Sequence, residues 1–366
     1  MRFVSHPLQA ARAATAVLVL AAVHGLSAAA PQAPAASSPK PSVPSTPAAK
    51  PAPAAAKVGA QASAAKPVTS MAVKPPVAPL ISKPSVVNKP AAKAASSAKP
   101  VLPTPAALSK PTVSIATPQA FCEQSVKRLP SVTMALCKSA QLTSNGGRSL
   151  QGQPFYQRDV VSPTAQLKVL VIGGIHGDEL SSTSLVLHWI QHATQTPANV
   201  HWRFVPLVNP DGMLRDVPTR TNAHGVDLNR NFPTPNWDKE APHYWKDRTR
   251  NDPRRYPGPK SLSEPESKWI HDEMEQWKPD LIVSVHAPYG VLDFDGPTSP
   301  PQRLGRLYLD RVGIFPGSLG NFGGVHKRVP VVTIELPSAL RTPQDAEMRQ
   351  MWLDLLRWMG ERLGAN

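Results

Sequence analysis

An α/β fold, one sheet covered by helices behind a long disordered linker, is what the sequence predicts, and three observations predict it. From Phe121 onward, short apolar runs alternate with segments of helical spacing. None of the 25 Asp and Glu lies before Glu123, so the acidic, globular composition starts there. Residues 31 to 118 hold 19 prolines and ten lysines but no aromatic residue, too little apolar surface to offset the entropy of ordering.

The first 30 residues carry Arg2 and Arg12, an apolar run from Ala13 to Val23, and then small residues in "HGLSAAAP". That pattern predicts a signal peptide over 1–30 and an exported, periplasmic protein. An uncleaved signal would leave it membrane-anchored. The Pro/Ala/Lys-rich linker, 31–118, favours polyproline II at about 3.1 Å per residue. Its lysines could rest on an anionic cell-wall or membrane surface; a plain spacer is the alternative. Removing those ten lysines and the two N-terminal arginines from the formal +15 leaves about +3 for the rest. A near-neutral domain argues against nucleic acid as a partner. Cys122 and Cys137, the only cysteines, predict a disulfide in an exported chain.

Each element of the domain, 119–366, has its own signal. "SNGGRSLQGQPFYQRDV" predicts a turn and a short strand, and "LKVLVIGG" a buried strand ending at Gly173. "LSSTSLVLHWIQHA" predicts a helix, and "VHWRFVPLVNP" a strand running into the turn "NPDG". In "SLSEPESKWIHDEMEQW", Ser263 is placed as N-cap with Pro265 in the first turn, and Trp269, Ile270, Met274 and Trp277 form the inner face. "DLIVSVH" and "VPVVTIEL" predict two more strands. Met348, Met351, Trp352, Leu355, Leu356 and Met359 mark a closing amphipathic helix.

Open α/β sheets place their ligand crevice at the carboxyl ends of strands. There stand His176 and Glu179 of "HGDE", His286, and Glu335 in "VTIELP". Two imidazoles and one carboxylate make the His2Glu set of a catalytic zinc, with a fourth position left for water. Glu335, embedded in an apolar strand, is the natural general base. Singly, each has a plainer explanation: H-x-x-E recurs by chance, His286 could be a core histidine, and Glu335 could pair with an arginine.

Together with "NPDG", "GVDLNRNF" and "GPKSLSEPE", in that order, these residues make the chain resemble the zinc carboxypeptidase family related to carboxypeptidase A, over nearly all of residues 141 to 366. The form "NPDGMLRDVPTRTNAHGVDLNRNFP" is most similar to the bacterial branch containing murein peptide amidase A, which cleaves between γ-D-glutamate and diaminopimelate in cell-wall peptides. The resemblance implies a single-domain mixed β-sheet flanked by helices and one Zn2+ per chain. It makes His176, Glu179 and His286 the ligands and Glu335 the base. By the same resemblance Asp227 orients the first histidine, Asn229 and Arg230 grip a terminal carboxylate, and Arg220 stabilises the oxyanion, with Arg215 as its alternative. The family's substrate-loop Tyr has no counterpart in "GIFPGSLGNFGGV"; Tyr308 is nearby in an apparent helix, and the glycines would permit a flexible lid. Asp293 and Asp295 could meet the amine of diaminopimelate, and His326, Lys327 and Arg328 its far carboxylate. The expected substrate is thus a cell-wall peptide; no oligomeric state is read. The other function classes are an aspartoacylase-like or succinylglutamate desuccinylase-like zinc amidohydrolase and a catalytically silent wall-binding protein.

Overall fold

The computed structural model describes residues 113–196 and 198–364; the signal and nearly all of the linker lie outside them. In chain order the elements are α1 (Pro118–Arg128), α2 (Met134–Ser139), β1 (Thr143–Arg148), β2 (Pro154–Val161), β3 (Leu167–Ile172), α3 (Leu180–Gln195), β4 (Val200–Val205) and α4 (Pro210–Met213). They continue with α5 (Trp237–Asp247), α6 (Pro265–Trp277), β5 (Leu281–His286), β6 (Val291–Asp295), β7 (Arg303–Leu304), β8 (Leu307–Tyr308), β9 (Val331–Glu335) and α7 (Asp345–Leu363). Seven strands form one mixed sheet in the order β1-β2-β4-β3-β5-β9-β6. The central β4, β3, β5 and β9 are parallel; β2 and β6 flank them antiparallel, and β1 pairs antiparallel with β2 at the edge.

Alternation along the strands divides the core in two, because successive side chains leave opposite faces. Val169, Val171, Val283, Val285, Val332 and Ile334 pack with α3 and α7 on one face. Leu170, Ile172, Ile282 and Val331 pack with Ile270 and Met274 of α6 on the other. Being covered on both sides, β5 is buried throughout and β3 from Val169 to Ile172, and both read there as apolar runs. Met348, Met351, Trp352, Leu355 and Met359 of α7 are buried as their spacing predicts, with Trp352 tilted against Trp202 at 4.6 Å.

Several expectations change in detail. The "SNGG" stretch is strand β1 rather than a turn, hydrogen-bonded to β2 across an irregularity. Glu264, not Ser263, is the N-cap residue of α6, with Pro265 in its first turn. The packed chain begins before residue 119. Ile115 is buried, donates its N–H to Gln153 Oε1 at 2.9 Å and accepts from the Tyr156 hydroxyl at 2.8 Å, so the last residues assigned to the linker belong to the folded unit. Cys122 of α1 and Cys137 of α2 are disulfide-bonded. Among the described residues no helix is long and apolar enough to cross a membrane.

Candidate active site and metal centre

Period-two alternation also builds the site. On β5, Ile282, Ser284 and His286 share a face; on β9, so do Val331, Thr333 and Glu335. The register sets His286 opposite Glu335, so both leave the sheet on the same side. Antiparallel β6 sets Asp293 opposite Thr333 and Asp295 opposite Val331, which extends that polar face across a third strand. His176 and Glu179 arrive from the turn between β3 and α3, where Glu179 is the N-cap position but makes no side-chain capping bond. Gly177 between them is obligatory: a Cβ there would stand 2.5 Å from the backbone of Gly212 and Met213 in α4.

Side-chain hydrogen bonds then fix the orientation of the first imidazole. Asp227 Oδ1 accepts His176 Nε2 at 3.0 Å and its Oδ2 accepts Arg220 Nε at 3.0 Å. With the Nε2 proton given to Asp227, a neutral His176 turns its Nδ1 lone pair inward. That nitrogen lies 2.8 Å from Glu179 Oε1 and 3.2 Å from His286 Nδ1, while His286 Nδ1 lies 3.1 Å from Glu179 Oε2. Three buried acceptors thus face one point and need a positive charge between them. Their ligating atoms all fall within 4.8 Å of one another, a donor set that fits a divalent ion.

Local charges follow from the same contacts. Burial alone would raise the Glu179 carboxyl, but the imidazoles of His176 and His286 outweigh it and hold it well below the usual range. Burial would likewise raise Asp227, and Arg220 and then His176 overcome it to keep it ionised. Glu335 goes the other way: burial raises it against the pull of His286. Its Oε2 is buried without a hydrogen-bond partner, an acceptor held in reserve.

Arg220 lines the same cavity, its Nη1 3.3 Å from Glu179 Oε1, and its carbonyl is tied to Asn209 of "NPDG". Arg215 does not line it; its carbonyl accepts from Arg128. Asn229 accepts the Leu319 N–H with its side-chain oxygen, leaving its NH2 available. Arg230, only 5 % exposed, keeps Nε unpaired and stacks over Phe315 at 4.4 Å. Burial lowers its pKa to about 10, yet it stays charged.

The loop before β9 is not a lid of loose glycines. Gly320 and Gly324 give no room for a Cβ because the Asp295 side chain and backbone occupy that space, and Gly320–His326 forms a π-helical turn. Tyr308 lies in β8 rather than a helix and is largely exposed. His326, Lys327 and Arg328 do not reach the cavity; Lys327 pairs with Glu275 at 2.5 Å. Two aromatic wall residues, Tyr289 and Phe315, and one cation, Arg255, carry no sequence signal that would single them out.

Residues 133–294 match the zinc carboxypeptidase family, a range that holds His176, Glu179, Arg220, Asp227, Asn229, Arg230 and His286 but not Glu335. Murein peptide amidase A of Escherichia coli strain K12 is 30% identical over 224 residues, covering 59% of this chain and 90% of that protein. The same-named protein of Vibrio campbellii is 31% identical over 201 residues, 52% of this chain and 77% of that one. Among solved structures, murein-tripeptide amidase from Escherichia coli O157 aligns at 30% identity with a TM-score of 0.44, over 57% of this chain and 89% of that one. Carboxypeptidase A from Helicoverpa armigera aligns at 18% identity with a TM-score of 0.48, over 64% and 70% respectively. The chain therefore belongs to the zinc carboxypeptidase family, whose members depend on zinc, and is a metallopeptidase.

Proposed function

We propose that the chain hydrolyses the amide bond between γ-D-glutamate and diaminopimelate in cell-wall peptides, beside a free C-terminal carboxylate. In this reading His176, Glu179 and His286 hold one zinc ion, which when bound supplies Lewis acidity to the scissile carbonyl and to water. Glu335 takes the proton of the attacking water through its unpaired oxygen and returns it to the leaving amine. The raised carboxyl supports that role, since a base closer to neutrality also gives its proton back. Arg220 offers its guanidinium to the developing oxyanion while Asp227 keeps it in place. Arg230 and the NH2 of Asn229 hold the terminal carboxylate.

The observation that carries the reading is the convergence of His176, Glu179, His286 and Glu335 on one buried point beside Arg220 and Arg230. For the leaving residue, Asp293 and Asp295 supply the anionic wall that a side-chain ammonium requires. Asp295 is raised to about 6 by burial and by Asp293, and its side chain makes no hydrogen bond or ion pair with a described residue. The relatives named as murein peptide amidases support the wall-peptide substrate. Residues 1–30 then serve export to the periplasm and the linker serves as a spacer.

The test is an assay of the full chain on L-Ala-γ-D-Glu-diaminopimelate, on ordinary C-terminal peptides and on N-acyl amino acids. Release of diaminopimelate, abolished by a chelator that also lowers the unfolding midpoint, is the expected result. Turnover confined to N-acyl amino acids, or zinc uptake with no turnover of any of the three, would overturn it.

A further inference from the structure

Arg255 lines the catalytic cavity together with Asn229, Arg230, Asp293 and Asp295, and it also lines a second space that those four residues do not touch. Beside Glu179 and Arg220 opens a recess of about 200 Å3, lined by Asp178, Arg254, Arg255, Pro288 and Tyr289 among others, and by none of Asn229, Arg230, Asp293 or Asp295. Glu179 and Arg220 line both spaces, so a substrate whose scissile carbonyl lies at Arg220 has this recess beside it. Arg255 also lines the catalytic cavity and an adjoining cavity of about 640 Å3, so it stands where the three meet.

The local chain gives this guanidinium one loose ion pair and leaves its terminal nitrogens open. Asp252 caps the short turn Pro253–Arg255, accepting the Arg254 N–H at 2.9 Å, and the next residue accepts the Asp227 N–H on its carbonyl at 2.8 Å. The turn is therefore tied directly to the backbone of the metal-site aspartate. Of the two adjacent arginines, Arg254 is neutralised by Asp178 at 2.8 Å. The Arg255 side chain has only Asp252, 3.6 Å from its Nε, and makes no hydrogen bond to a described residue. Its side chain is 33% exposed, and it lies near enough to Arg230 to help depress that group's pKa. A half-buried guanidinium with its terminal nitrogens unengaged is a fork for an anion that the protein does not supply.

We propose that Arg255 is a specificity-determining residue that binds a carboxylate on the acyl side of the scissile bond. This deepens the function proposed above and rests on it. In a γ-linked glutamate, three carbon atoms separate the scissile carbonyl from a free α-carboxylate; an ordinary α-linked residue has no such group on its main chain. Arg255 thereby selects the γ-linkage by charge, while Arg220 and the metal site act on the carbonyl itself.

The experiment compares two tripeptides with the zinc-loaded full chain: L-Ala-γ-D-Glu-diaminopimelate, and the same peptide with the glutamyl α-carboxylate converted to an amide. The wild type prefers the free carboxylate by about 10- to 100-fold in kcat/KM, chiefly through KM, the range of one charge-assisted pair. Arg255→Met brings that ratio close to one, and Arg255→Lys restores part of it. Detectable turnover of the amidated peptide by the variant shows that it is folded. A ratio that Arg255→Met leaves unchanged, or a wild type that does not distinguish the peptides, overturns the assignment. Cleavage of neither peptide by the wild type sinks the proposed function and this inference with it.

Discussion

Two buried polar clusters lie side by side in this fold, and only one is equipped for chemistry. The first is the set around His176, Glu179, His286 and Glu335. The second joins Asp211, Asn222, Glu264 and Glu266, each at most 1 % exposed. Burial raises a carboxyl in each, Glu335 in the first and Glu266, to about 7, in the second. They differ in what remains unpaired. Asp211 accepts from the Ser149 hydroxyl and Gln151 N–H, Glu266 from Leu150 N–H and Asn222, and Glu264 from Ser263 and Asn222, so every carboxylate oxygen is engaged. In the catalytic set, acceptors face one another, Glu335 keeps an unengaged oxygen, and a cavity opens onto them. A perturbed pKa marks burial; a vacancy in the hydrogen bonding marks function.

Substitutions sharpen that contrast. Glu335→Gln should cut kcat by on the order of 10³-fold with no fall in the unfolding midpoint, since it removes a proton carrier rather than a structural bond. Asp227→Asn, which weakens the hold on His176 and Arg220, should lower zinc affinity by about 10- to 100-fold, read by competition with a chelating dye. Glu266→Gln belongs to the closed cluster and should leave kcat/KM within about two-fold. Its effect is on stability against pH. The folded pKa of about 7 lies above the ordinary 4.5, so the folded state holds the proton more tightly. Stability is then highest below the unfolded value and declines as pH rises from about 4.5 to 7, by up to about 3 kcal/mol. Denaturant titrations at pH 5 and pH 8 should show that decline in the wild type and not in the variant. A large activity loss in Glu266→Gln, or a flat profile in the wild type, would erase the distinction between the two clusters.

The central strands and the convergence of His176, Glu179 and His286 were legible because parallel strands leave apolar runs and these polar residues stand at or just beyond their ends, as His286 does after "LIVSV". Edge structure was not: "SNGG" carries turn chemistry, yet pairing with β2 overrides it. Ser263 was read as a cap from its position before Pro265, but its hydroxyl is spent on Glu264. Arg255 stayed hidden because what sets it apart, a place in the lining of three cavities, is a property of the fold rather than of any motif. The glycines before β9 were read as freedom, whereas packing against Asp295 makes them a matter of space.

That packing constrains how the pocket can evolve. The space a methyl group would need at Gly320 is filled by the Asp295 carboxylate, so a bulkier residue at 320 can settle only as that acid yields its place. The two positions therefore change in order: the charge at 295 goes first, and only then does the glycine become free to drift.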